Sequence, residues 1–202
     1  MSKLKIAMIS SEIGNQVVGS YDKQIVVKGT ERFFDRILFA AGKISSKINS
    51  VETLDIYAHC VGTVISEWKE KTSRFYGLLT NLNPDINDGG GLGAYGAKIG
   101  SDWITSRTVK KWEEHASIFT SPCWINFRVC MMARQSPDHL GQQGVYSGDG
   151  IALCKEIAIA TGAYVRASST PQLYEETGLG LSFRPWRGPV FLFSPEGDYW
   201  LD

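Results

Sequence analysis

Four short apolar runs set the terms for what this chain can fold into: Lys3–Ser10, Thr53–Ala58, Trp124–Val129 and Tyr164–Ala167. Each has the length of a strand and is too short for an ordinary buried helix. Between them the apolar residues recur at three- and four-residue spacing instead. Thr30 is placed to cap a helix running to about Ile48, with Phe33, Ile37, Ala40, Ile44 and Ile48 along one face. Ser101 or Asp102 is placed to cap a second through Ala116, burying Val109, Trp112 and Ala116. Asp149 caps a third from Gly150 to Thr161. Ile151, Cys154 and Ala158 line one edge of its apolar face, with Leu153, Ile157 and Ala160 alongside. Gly162 stands where a helix C-terminal glycine belongs. Strands that alternate with helices predict an α/β fold, a mainly parallel sheet flanked by helices.

The remaining segments are placed around that frame. Gln24 to Val27 adds a short strand, and Pro122 punctuates the chain before Trp124. Leu54, Ile56 and Ala58 point to one side of their strand and Asp55 and Tyr57 to the other. Val190–Ser194 and Tyr199–Leu201, joined by Pro195-Glu196-Gly197-Asp198, read as a C-terminal β-hairpin on a type I turn. Residues 80–101, with Asn83-Pro84-Asp85 and Gly89-Gly90-Gly91, read as an irregular loop insertion. The 202 residues suit a single α/β domain, 1–202, without internal repeats.

Charge narrows the partners. Twenty-one basic and 21 acidic residues balance, so nothing in the sequence favours nucleic acid or an anionic membrane surface. The start, Met1-Ser2-Lys3-Leu4-Lys5-Ile6, does not read as a signal peptide, and no run approaches the roughly 20 apolar residues that span a bilayer. The expectation is a soluble, cytoplasmic chain. Cysteines at 60, 123, 130 and 154 form no CxxC pair, which fits reduced thiols.

Two reactive side chains follow strand ends, where open α/β sheets build their sites: His59 after Leu54–Ala58 and Cys130 after Trp124–Val129. A thiolate attacks carbonyl carbon, and a neighbouring imidazole raises its fraction and then protonates the departing amine. From the residues alone two readings stand, a nucleophile with its base or two side chains that merely pack. Arg184, Trp186 and Arg187 lie in a loop before the terminal hairpin, as recognition anchors or as a Trp tucked over the sheet edge.

Other patterns carry less. Gly91-Leu92-Gly93-Ala94-Tyr95-Gly96 matches G-x-G-x-x-G but follows a polar, turn-rich stretch rather than a strand. Asn83–Asp88 begins like a calcium loop and lacks its sixth-position Gly and twelfth-position Glu. His59, Cys60, Cys123, Cys130 and His139 show no paired ligand spacing, so no metal is expected. His115 and His139 read as surface residues, and Asp138 with His139 gives only a weak link to Cys130.

Leu54-Asp55-Ile56-Tyr57-Ala58-His59 resembles the strand-then-histidine segment of caspase-like cysteine peptidases. Ile125-Asn126-Phe127-Arg128-Val129-Cys130-Met131-Met132-Ala133 is similar to their strand-then-cysteine segment. Gly150–Ala158 and Thr161–Ser168 resemble a bacterial caspase-like domain of unknown function found in large surface proteins. The resemblance covers residues 53–60 and 124–169. It implies His59 as general acid/base, Cys130 as nucleophile, and amides at Gly62 and Cys130 as the oxyanion hole. Ser168, Arg184, Trp186 and Arg187 are then expected to bind a protein or peptide substrate. The family usually has Gly directly after the histidine and a small residue before the cysteine, where this chain has Cys60 and Val129. No cofactor is implied. The implied activity is peptide hydrolysis by a Cys-His dyad, with room for a regulatory protein partner. The alternative is a non-catalytic caspase-like module that binds a protein partner through its strand-end loops.

Overall fold

A computed structural model of the chain describes residues 3–42, 50–62, 95–130, 132–134, 150–170 and 172–202. Its elements begin with β1 (Lys3–Ser10), β2 (Lys23–Val27), α1 (Phe33–Ala40), β3 (Ser50–Tyr57) and β4 (His59–Gly62). They continue with β5 (Tyr95–Ile99), β6 (Asp102–Ile104), α2 (Val109–Glu114), β7 (Phe119–Arg128) and α3 (Gly150–Thr161). The chain then forms β8 (Tyr164–Ser168), β9 (Tyr174–Thr177), β10 (Gly180–Phe183), β11 (Val190–Phe193) and β12 (Tyr199–Leu201). The main sheet has seven strands in the order β12-β11-β8-β7-β3-β1-β2. From β2 across to β8 every neighbouring pair is parallel, whereas β11 runs antiparallel to β8 and β12 antiparallel to β11. The chain is therefore α/β with a mostly parallel sheet.

Alternation along the central strands divides the sheet into two chemically different faces. Leu54, Ile56 and Ala58 join Ile125, Phe127 and Val129 in the larger core, which α1, α2 and α3 cover. Trp112 is its centre, sealed from solvent, with ring centroids of Phe33, Phe34, Phe119 and Phe127 between 5.2 and 6.4 Å away. On the other face Ala7, Ile9, Val17, Tyr57 and Leu181 make a smaller core. The antiparallel pair of β9 and β10 supplies part of its cover through Leu181, Tyr174 and Phe183.

Several expectations from the sequence need correction. Thr30 does not cap α1: Arg32 occupies the N-cap with no side-chain cap bond, and the Phe34 amide donates instead to Asp102 Oδ2 at 3.3 Å. The helix ends at Ala41, and Gly42 has φ +78°; Ile44 and Ile48 lie outside the described residues. The helix expected from Ser101 or Asp102 is instead strand β6 followed by a single 3-10 turn, Ser106–Thr108, and the short α2. Thr105 is the true cap, in a reciprocal capping box with Thr108. Beyond α2 the chain turns once more through Ala116–Ile118.

The irregular loop expected over 80–101 ends earlier than its composition suggested, because residues 95–99 form β5; residues 80–94 lie outside the described residues. Gly96 belongs to that strand, and a Cβ there would sit 2.3 Å from the Ile104 carbonyl oxygen. Close packing of β5 against β6 accounts for this glycine; Gly91 and Gly93 are outside the described residues, as is the Asn83–Asp88 stretch. Gly100 turns the chain between the two strands at φ +61°, with the Glu31 carbonyl 2.2 Å from where a Cβ would stand. Strand β7 starts before Pro122 rather than after it. The strand runs through Pro122 at a register break against β3, between Val51 and Thr53.

Candidate functional site

The parallel pairing of β3 with β7 sets the two expected reactive residues just past the ends of neighbouring strands. Tyr57 and Arg128 are register partners at the end of the ladder, so His59 and Cys130 each stand two residues beyond a matched pair. Neighbouring strands lie about 4.8 Å apart. Burial continues to alternate past the ladder, since Ala58 and Val129 both lie in the larger core. Beyond Tyr57 and Arg128 both chains leave the ladder, Val129 and Cys130 through a bend and turn and His59 as the start of β4. Hydrophobic demand at positions 54, 56, 58, 125, 127 and 129 holds one face of this strand pair on the larger core.

His59 differs from expectation in one respect: it is the first residue of β4 rather than the tail of β3. It pairs with Lys98 in an antiparallel ladder of β4, β5 and β6, and its side chain is exposed. Gly62 belongs to the same ladder, opposite Tyr95. Three residues of extended chain separate it from His59, roughly 10 Å. The other expected oxyanion donor, the Cys130 amide, lies two residues past the end of β7.

Cys130 is half-buried and engages the main chain of Gln172 in both directions. The Gln172 amide donates to Sγ at 3.3 Å, and the thiol donates to the Gln172 carbonyl at 3.5 Å. The other described cysteines differ. Cys123 faces the larger core, where burial pushes its thiol up to about 12, and Cys154 is buried on α3.

Beneath the strand ends, on the face of the smaller core, lies a polar cluster absent from the expectations above. Asp55 accepts hydrogen bonds from Asn126 Nδ2 at 2.6 Å and from the Tyr21 hydroxyl at 2.7 Å. Tyr21 also shares a 2.7 Å hydrogen bond with the Tyr57 hydroxyl. Burial drives the Tyr21 phenol well above its ordinary range, with the Asp55 charge adding to the effect, and burial raises Tyr57 as well. Both phenols therefore stay protonated and serve as donors. Arg128 Nε is 3.6 Å from Asp55 Oδ2. Its guanidinium lies over the rings of Phe183 at 4.7 Å and Trp186 at 4.4 Å, while Tyr174 donates its hydroxyl to the Arg128 carbonyl. The signal for this cluster was present: Asp55, Tyr57, Asn126 and Arg128 alternate with apolar residues in two central strands.

The expected substrate-binding residues part company. Ser168 is sealed from solvent and so cannot meet a substrate; its hydroxyl ties the loops together, donating to the Arg187 carbonyl at 2.9 Å. Arg184 is exposed and paired with Glu175 at 2.9 Å. Trp186 is half-buried edge-on against Phe183, centroids 5.3 Å apart, and Arg187 is exposed. These three do stand on the loop that closes over Arg128.

His115 is not a free surface residue: it caps α2, its ring lies 5.3 Å from that of Phe34, and Nδ1 is 2.7 Å from the Lys111 carbonyl. Asp138 and His139 are outside the described residues. Among the described residues no cluster of three or more His, Cys, Asp or Glu side chains is gathered as for a metal ion. None of the described helices is long and apolar enough to cross a membrane. Comparison with protein-family models, curated proteins and solved structures found no match to this chain.

Proposed function

We propose that this chain is a cysteine endopeptidase of the caspase-like kind, with Cys130 as nucleophile and His59 as general acid/base. The observation that carries the reading is the register of β3 and β7, in which each residue follows the matched pair Tyr57↔Arg128 by two positions. Rigid strand ends suit a dyad, because proton transfer needs the two groups held within one hydrogen bond or one bridging water. Cys130 Sγ attacks the scissile carbonyl, and the Cys130 amide stabilises the oxyanion that forms. His59 protonates the departing amine, and water then hydrolyses the thioester. Arg128, capped by Phe183 and Trp186, forms the floor beside the nucleophile. The exposed Arg187 and Arg184 edge it.

The test is cleavage of a mixed peptide library, read by mass spectrometry, with the intact chain and two variants. Cys130→Ala is expected to abolish cleavage, and His59→Ala to slow it by about 100- to 10,000-fold, the usual worth of a positioned acid/base. No cleavage by the parent chain, together with alkylation of Cys130 that ignores the loss of His59, would sink the proposal. The same scaffold would then be a protein-binding module whose strand-end loops carry recognition.

A further inference from the structure

We infer that Gln172 is a positioning residue for Cys130, fixing the loop main chain against the nucleophile's sulfur; the inference rests on Cys130 being that nucleophile. Gln172 is only 4% exposed, although it lies in a loop. Its side-chain amide pairs with both main-chain groups of Arg187, Nε2 donating to the carbonyl at 3.0 Å and the Arg187 amide donating to Oε1 at 3.0 Å. The side chain thereby imitates one rung of a β-ladder across two loops. Nε2 also reaches Ser168 Oγ at 2.8 Å and the Thr170 carbonyl at 3.0 Å. Thr170 Oγ1 adds a 2.6 Å bond to the Arg187 carbonyl. A buried amide is tolerated only when its polar atoms have partners, and here Oε1 accepts from Arg187 while acceptors within 3.0 Å surround the two Nε2 hydrogens.

The consequence falls on the main chain of the same residue. With its side chain anchored in the 184–189 loop, Gln172 presents its own N–H to Cys130 Sγ at 3.3 Å and its carbonyl at 3.5 Å. The carbonyl bond exists only for the thiol. The N–H bond exists for both forms and strengthens on the thiolate, since hydrogen bonds to a charged partner are roughly twice as strong as neutral ones. Being also the shorter contact, the N–H wins, and the clamp favours the thiolate. Among the described residues, the titratable and charged groups to be weighed at this end of the site are His59 at the start of β4, Arg128 on β7, Tyr174 on β9 and Arg187 on the clamped loop. All four are left in place by a change at Gln172.

The experiment follows alkylation of Cys130 by iodoacetamide, in which the sulfur displaces iodide, as a function of pH in the intact chain. Peptide mass spectrometry scores Cys130 alone, and thermal melting confirms that each variant is folded. Gln172→Met keeps length and bulk and removes every amide bond. It is expected to raise the midpoint of the alkylation profile by about one pH unit, so that alkylation below both midpoints slows about tenfold. A side chain that merely holds the loops together would lower the melting temperature and leave the midpoint where it was. An unmoved or lowered midpoint therefore overturns the inference. If Gln172→Met does not fold, Thr170→Val removes the hydroxyl bond to Arg187 and the 3.3 Å contact from Gln172 Nε2 while keeping the Gln172 side chain. It is then expected to move the midpoint the same way by a smaller amount, and no movement overturns the inference. His59→Ala, measured alongside, separates the two claims: a profile indifferent to His59 defeats the dyad, while a Gln172 shift stands or falls by itself.

Discussion

Removing the Asp55 carboxylate tests whether the polar cluster under the strand ends acts as one unit. Asp55 is 5% exposed and holds three partners: Asn126, Tyr21 and, at 3.6 Å, Arg128. Coulomb's law at an effective dielectric constant of about 20 gives the Asp55–Arg128 pair a gross attraction of about 5 kcal/mol, much of it offset by desolvation. The two hydrogen bonds to the carboxylate are each worth about 1.5–3 kcal/mol. Tyr21 keeps its bond to Tyr57 when Asp55 is gone, which softens the loss. Asp55→Ala is therefore expected to destabilise by about 3–5 kcal/mol, the usual cost of stranding a buried charge. Arg128→Ala strands the Asp55 carboxylate and also loses the stacking on Phe183 and Trp186, about 3–5 kcal/mol. Because the double variant strands no charge, it is expected to cost about 2 kcal/mol less than the two single effects combined. Urea unfolding with linear extrapolation measures all four proteins, provided the slopes agree. Additivity within about 0.5 kcal/mol would refute the idea that Asp55 and Arg128 are energetically joined.

Two further outcomes follow from the packing. Trp112→Ala, which empties the centre of the larger core, is expected to cost about 3–5 kcal/mol in the same urea assay, and a loss under about 1 kcal/mol would contradict the ring cluster as its keystone. Cys123 gives a pH dependence, since its folded thiol is pushed up to about 12 against an ordinary value of 9.0. Its contribution to stability is whole below pH 9.0 and is lost as pH rises toward 12, because the unfolded chain releases that proton first. The slope is about 1.4 kcal/mol per pH unit, and Cys123→Ala is expected to flatten it; parallel curves for variant and parent would dismiss burial as the cause.

The elements legible in the sequence were those whose burial is written in a regular period. β1, the Trp124–Arg128 part of β7, α3 and β8 read directly, because their apolar residues recur every second or every third to fourth position. Short elements held by distant partners did not. β4 and β6 are four and three residues long, and each exists through pairing with β5. β9 and β10 carry no strong alternation and hold together over the smaller core. For the site, His59 and Cys130 were visible as reactive types after strands, and the register sets each two residues past a matched pair. Gln172 and Ser168 were not visible in their true roles. Their significance lies in bonds to Arg187, 15 and 19 residues away, which no local spacing encodes.

The shared carboxylate of Asp102 has a consequence for how the chain comes off the ribosome. It receives the Phe34 amide of α1 on one oxygen and the Lys111 ammonium at 2.8 Å on the other. The helix it completes is only eight residues long and has no cap bond of its own. Such a helix is marginal in isolation. The residue that finishes it is encoded 68 positions later. At translation rates of about 5–20 residues per second, α1 waits about 3 to 14 seconds for its partner to be made. Until then Phe33, Phe34 and Ile37 have neither a finished helix nor Trp112 to rest on, so the early chain is a client for whatever shields nascent apolar surface.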